Sequence, residues 1–204
     1  MRWLVAMLFA FPLAFGAASP AAPPIEAKRV HVTVVGDSVA DAISYVPAAR
    51  RRLSRGFAVS LDLRVCRRLV QPSCAFEGSA PTTALQAVES YGDRLGDVLV
   101  VDVGYNEGPA GFGAGIDRVV RAATAQGARG IVWVTLRETL SLYHDTNVAI
   151  RKAAKRWPML RVADWNAFSA GHNWFGPDGL HLTPGGASAL AGFLRPFVVA
   201  AARR

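Results

Sequence analysis

Gly36-Asp37-Ser38 stands at the end of a β-branched run, Val30-His-Val-Thr-Val-Val35, and just before a helix-like segment. A serine so placed carries its hydroxyl at the tip of a strand and its N–H at a helix N-terminus, where negative charge is favoured. That suits a nucleophile whose intermediate bears an oxyanion. Far along the chain, Asp178-Gly-Leu-His181 precedes Leu182-Thr-Pro184. If the four residues turn, the carboxylate can hold one ring nitrogen while the other faces a serine, the arrangement of nucleophile, base and orienting acid used by serine hydrolases. Between the two blocks, Gly104-Tyr-Asn106-Glu107 offers an asparagine amide. Taken singly, each block has a plain structural explanation: an Asp/Ser helix cap, a turn asparagine tolerant of left-handed backbone, a surface histidine. Their order along one chain is the more specific signal.

The elements that must position these residues alternate between strand and helix patterns. Strands are expected at 30–35, 57–65, 97–103, 130–135 and 160–164. Helices are expected at 39–55, with Pro47 bending it or starting a second turn, at 81–95 with Pro81 at its start, and at 116–126. Two more are expected at 145–157, capped by Asp145 or Thr146, and from Thr183-Pro184 to about Ala201. Strands separated by helix-sized segments imply a parallel sheet covered on both faces. The expected fold is therefore α/β: a three-layer, flavodoxin-like α/β/α domain with a five-stranded parallel sheet. Ligands of such sheets bind beyond the carboxyl ends of the strands, and all three blocks fall there.

The chain has 204 residues, 51% hydrophobic and 19% charged, with a formal charge of +8. This excludes a disordered chain, a collagen-like one and a disulfide-dense scaffold. Arg2, an apolar stretch from Trp3 to Phe15 and the small residues Gly16-Ala-Ala-Ser19 have the parts of a secretory signal peptide; an uncleaved anchor is the alternative. The expected organisation is a signal peptide at 1–18, a Pro/Ala-rich linker at 19–27 and one domain at 28–204. No apolar run reaches the ~18–20 residues that a spanning helix needs, and no stable membrane insertion of the mature chain is expected. An exported protein keeps disulfides, so Cys66 and Cys74 are expected to pair; the alternative is two thiols. They are too few, with no histidine nearby, for a metal site. The positive charge comes from 20 arginines against 3 lysines, dispersed but for Arg50-Arg51-Arg52, Arg67-Arg68 and Arg203-Arg204. Without a basic stripe and interleaved aromatics, nucleic acid is not an expected partner. A basic surface does suit anionic cell-envelope polymers.

Gly-Asp-Ser38, a post-strand Gly-x-Asn106 and a late Asp178-x-x-His181 together resemble the SGNH (GDSL-type) hydrolases over essentially the whole mature chain. Val34-Val-Gly-Asp-Ser-Val-Ala40, with Asp164-Trp-Asn166 and Asp178-Gly-Leu-His-Leu-Thr-Pro184, looks most like the SGNH domains related to bacterial cell-surface acyltransferases. The resemblance implies Ser38 as nucleophile, His181 as base and Asp178 as acid, with the Ser38 N–H and Asn106 in the oxyanion hole. The family's third donor is the N–H of a glycine after the second strand. Here Val65-Cys66-Arg67-Arg68 stands in that place, Cys66 being the nearest counterpart. A second departure is Glu107, where family members often have Asp; no catalytic role is assigned to it.

The implied function is a secreted or envelope-associated serine esterase or O-acyltransferase needing no cofactor. Its substrate would be an acylated small molecule or cell-envelope polysaccharide. The altered oxyanion loop keeps a second reading open, a non-catalytic envelope-glycan-binding module. A nucleotide binder is a weaker third, since Gly111-x-Gly113 lacks the rest of a phosphate motif. The Gly108–Gly115 stretch is expected to be a mobile loop, and Asp102 and His31 to be structural. His144 and His172 are candidates to line a cleft. Trp165, Trp174 and Phe175 are expected to pack, with sugar stacking as the alternative.

Overall fold

The computed structural model describes residues 29–203. The expected export segment and linker lie outside the described residues. Five parallel strands form one sheet in the order β2-β1-β3-β4-β5: β1 His31–Gly36, β2 Ala58–Leu63, β3 Val98–Asp102, β4 Gly130–Val134 and β5 Leu160–Ala163. This is the flavodoxin-like order, with its switch point between β1 and β3. The inner strands are continuous apolar runs because both faces are buried. Val32, Val34, Val98, Val100, Val132 and Val134 face one core; Val35, Leu99, Val101, Ile131 and Trp133 face the other.

The first core is covered by α1 Ser38–Tyr45, α2 Pro47–Ser54 and α7 Pro184–Ala202, the second by α3 Ala84–Tyr91, α4 Phe112–Ala125 and α5 Ser141–Arg156. By length and composition α7 is apolar enough to cross a membrane, yet Leu190, Ala191, Leu194 and Val198 are buried in the first core. Pro47 divides the first helical stretch in two. Val46 before it is extended, φ −101° and ψ 100°, as the proline ring requires of its predecessor.

Three helices begin elsewhere than the sequence suggests. The third starts at Ala84 rather than Pro81, because Thr83 accepts from the Gln86 N–H while the Gln86 side chain accepts from the Thr83 N–H, a capping box. The fourth starts at Phe112, not Ile116, after Gly111 at φ 73°. Glycines 113 and 115 hide this turn from propensity, but a side chain at Gly115 would come within 2.9 Å of Leu69. Residues 112–115 of the expected mobile loop are thus the first turn of α4. The fifth starts at Ser141 rather than at Asp145, and buries Tyr143, Thr146, Asn147 and Ile150. A short unexpected helix, α6 Trp165–Ser169, is capped by Asp164 accepting from Ala167 N–H.

Candidate active site

At the end of β1 the chain turns through Asp37 into α1, whose first residue is Ser38. Asp37 is fully buried. One carboxylate oxygen accepts from Val39 N–H at 3.1 Å, capping α1. The other accepts from Gly104 and Tyr105 N–H at 3.1 and 3.2 Å. The residue that starts the serine's helix therefore also holds the start of the loop that carries Asn106. Burial outweighs these three bonds and raises the Asp37 carboxyl to about 6. Asp102 below it is 2% exposed; burial, then the neighbouring Asp37 charge, pushes its carboxyl well above the usual range.

His181 reaches Ser38 from the loop before α7. Its Nε2 lies 3.0 Å from Ser38 Oγ, and its Nδ1 lies 2.6 Å from Asp178 Oδ2. The second Asp178 oxygen accepts from Leu180 and His181 N–H at 2.9 and 3.0 Å. The tetrapeptide is thus a self-bonded turn that aims the imidazole. The bond to His181 and these two N–H groups hold the Asp178 carboxyl down at about 2. Both side chains are half exposed, 49% for His181 and 50% for Asp178, so the cleft is open to water. Arg137, after β4, donates to the Gly179 carbonyl and lies 3.8 Å over the Phe175 ring. It braces the turn from outside. Only this geometry reveals it, since the sequence offers no signal for a lone arginine after a strand.

The facing wall is the loop after β2. Cys66 and Cys74 are joined by a disulfide. Cys66 takes φ +67°, the left-handed conformation that glycine usually occupies. Its N–H has no hydrogen-bond partner among the described residues, and neither has that of Ser38. Arg67 N–H, one residue on, donates to the Arg64 carbonyl at 3.3 Å and is engaged. The Asn106 amide donates to the Arg67 carbonyl at 3.1 Å, which fixes its plane and leaves its second hydrogen. Arg68 Nε donates to the Asn106 carbonyl at 2.7 Å, and Glu107 accepts from Leu69 N–H. The loops after β2 and β3 are thereby sewn together, and Glu107 is part of the seam. Since β1 lies between β2 and β3 in the sheet, the three N–H donors stand at the ends of three adjacent strands.

Arg67 builds this wall. It is completely buried. Its guanidinium bonds the Asp62 carboxylate at 2.9 Å, the Asp62 carbonyl at 2.5 Å and the Thr82 carbonyl at 3.0 Å. A cavity of about 390 Å³ opens at the start of the same loop, lined among others by Val65, Arg64, Phe76 and Asp41. Val65 precedes Cys66, and Asp41 lies one turn after Ser38.

Other candidates stay apart. His31 bonds Ser60 at the opposite edge, and His144 pairs with Glu138. His172 stacks on Trp174 with ring centroids 3.8 Å apart. Trp165 is 1% exposed and is core; Trp174 and Phe175 are half-buried. No group of three or more metal-ligating side chains occurs among the described residues.

No protein-family model matches the chain. A 60-residue stretch is 40% identical to the small ribosomal subunit protein uS5 of Methylorubrum extorquens, taking in 28% of this chain and 31% of that one. The chain thus spans about a third of that relative's length, too little to carry a family. Solved structures match along most of the domain. The C-terminal catalytic domain of peptidoglycan O-acetyltransferase A from Streptococcus pneumoniae, bearing a methylsulfonyl adduct, is 20% identical. Its TM-score is 0.64, over 84% of this chain and 94% of that one. A carbohydrate esterase family 2 enzyme with a carbohydrate-binding domain, from Corynascus thermopiles, is 15% identical with TM-score 0.66, over 90% and 68%. A carbohydrate acetylesterase family member from Sinorhizobium meliloti is 16% identical with TM-score 0.65, over 86% and 100%. At these identities the likeness establishes the fold alone, the parallel α/β fold that these acetyltransferase and esterase domains share.

Proposed function

We propose that this chain, built on the SGNH hydrolase fold, is an exported serine esterase or O-acyltransferase acting on ester-linked acetyl or other small acyl groups, with cell-envelope carbohydrate as its substrate class. The carrying observation is the Ser38–His181–Asp178 relay at 3.0 and 2.6 Å. Ser38 Oγ attacks the ester carbonyl carbon while His181 Nε2 takes its proton. Asp178, ionised down to about pH 2, stabilises the imidazolium. The carbonyl oxygen becomes an oxyanion held by Ser38 N–H, Cys66 N–H and the free Asn106 amide hydrogen. Collapse breaks the ester bond, and the leaving alkoxide takes the proton from His181. The acyl-Ser38 is then attacked by water or a sugar hydroxyl, with His181 as base again, and Ser38 is restored.

Water reaches a relay that is half exposed, so hydrolysis is the default and transfer requires an acceptor seated in the cleft. The substrate class draws on the acetyl-transferring and carbohydrate-esterase neighbours of the same fold. The rival reading, a non-catalytic glycan-binding module, drew its force from the missing glycine. Cys66 at φ +67° takes the conformation that glycine would take, which favours catalysis.

A fluorophosphonate probe should add one mass equivalent on Ser38 of the folded protein. Ser38→Ala should abolish labelling and lower p-nitrophenyl acetate turnover by at least ~10⁴-fold at unchanged melting temperature. An unlabelled wild type, or a fully active Ser38→Ala, would sink the proposal. Acetate release against acetyl transfer, followed on acetylated glycans with added sugar acceptors, separates esterase from transferase.

A further inference from the structure

The opposite edge of the sheet carries a second, chemically different concavity. The last helix starts three residues past His181, and its far end packs on the start of β4, where a side chain at Gly130 would come within 2.6 Å of Ala201. Eleven residues into α7, about 16 Å along its axis, Arg195 faces the C-terminus of α2. There a cavity of about 610 Å³ is lined by Arg51, Arg52, Arg55 and Arg195, with Ala48, Gly192 and Pro196. No carboxylate lines it, and none of the four arginines has an ion pair among the described residues.

Part of this charge serves the fold. The Arg195 guanidinium donates to the Arg52, Leu53 and Arg55 carbonyls at 2.9, 3.1 and 2.7 Å, closing the helix end that would otherwise leave them unpaired. That task occupies one of its nitrogens and none of the other three arginines. Arg51 and Arg55 are exposed and one turn apart, a spacing at which like charges repel. Arg52 lies against Gly192, where any side chain would come within 2.5 Å of its Nε. Glycine at that point of α7 therefore makes the space that the guanidinium fills. Four guanidinium groups around one ligand-sized cavity, one of them rigidly bonded, form a fork-rich site matched to phosphate oxygens.

We infer that the α2–α7 cavity is an anion-binding exosite for a phosphate-bearing polyanion, separate from the acyl-transfer cleft. Two or more phosphate groups are needed to balance its charge. Bound there, a polymer is anchored at the edge of the sheet opposite Ser38, and the catalytic cleft stays free.

The test is titration calorimetry of the purified protein with inorganic tripolyphosphate at two salt concentrations. Saturable binding is expected. The R51Q/R55Q variant should weaken it at least tenfold and flatten its salt dependence, while p-nitrophenyl acetate turnover and melting temperature stay unchanged. The R94Q/R118Q variant removes the same charge from other exposed positions and should bind like the wild type. Absence of saturable binding, or equal loss in the two variants, overturns the site. Competition with glycerol-phosphate oligomers and with phosphatidylglycerol vesicles then identifies the source of the phosphate. Displacement by either supports the exosite, and displacement by neither overturns it. Because the readout is binding, an inactive enzyme would leave this result standing.

Discussion

The two walls of the proposed catalytic cleft are made by different means. One wall is local. Ser38 is the first residue of a helix, and His181 is aimed by an acid three residues away whose second oxygen is bonded within the same turn. The other wall is a long-range construction. Cys66 is held in a left-handed conformation beside a disulfide, Asn106 is pinned between the carbonyl of Arg67 and the side chain of Arg68, and a buried guanidinium braces the loop below. Each half of the proposed proton relay is set within its own turn, and the two halves meet once, at the Ser38–His181 contact across 143 positions, whereas the proposed oxyanion hole is held by several contacts between residues some 40 positions apart.

This difference can be broken experimentally from either side. After Ser38→Ala, the largest effect is expected from His181→Ala, which removes the proposed base and should lower kcat on p-nitrophenyl acetate by ~10²–10⁴-fold. The half-exposed side chain predicts an unchanged urea midpoint, and a large loss of stability would show that the local wall is not local. Next, Asn106→Ala should cost ~10²–10³ in kcat with little change in KM, as expected of a donor that bonds the intermediate; a rise in KM alone would remove it from the oxyanion hole.

Arg67→Met should act on both readouts. It leaves the Asp62 carboxylate only the exposed Arg64 at 3.7 Å and takes the donor from the Asp62 and Thr82 carbonyls, so a loss of ~3–5 kcal/mol in urea unfolding is expected. Activity should fall with it, since Asn106 loses its seat; full activity in the folded variant would uncouple the brace from the donor. Cys66→Ser with Cys74→Ser should cost about 2–3 kcal/mol, the loop-closure value for so short a loop, and lower kcat about tenfold. Reduction of the wild type should match it.

The smallest effect concerns the carboxyl beneath both walls. Because burial raises the Asp102 carboxyl, the folded state holds its proton where the unfolded state releases it. Stability from this group is complete below pH ~4 and falls as pH rises. Asp102→Asn carries no charge, so its urea midpoint should exceed that of the wild type at pH 8, and the gap should close toward pH 4. A gap that widens in acid would reverse the assignment.

The same division decides what could be read from the sequence. The order Gly-Asp-Ser38, Asn106, Asp178-x-x-His181 was legible because each block is contiguous and sits after a strand or before a helix. The fold was legible because apolar strands and amphipathic helices alternate without interruption. Arg67 was not: among dispersed arginines, one beside Arg68 looks like surface charge, and only the fold shows that it is buried against Asp62. Asp37 reads as a helix cap, which it is. Its second oxygen, on Gly104 and Tyr105 N–H, is a tertiary contact without a sequence signature. The start of α4 was hidden by Gly113 and Gly115, whose value lies in the approach of Leu69 rather than in helix propensity.

The conformation of Cys66 has a consequence for when the protein becomes active. A left-handed L-residue costs ~1–2 kcal/mol, and the disulfide to Cys74 restrains the residue that takes it. On the proposed mechanism, oxidation therefore raises activity about tenfold: a reduced chain keeps its proton relay but loses the tie on one oxyanion donor. If the chain is exported as proposed, esters met before the disulfide forms would be turned over more slowly, and its closure would bring the enzyme to full rate.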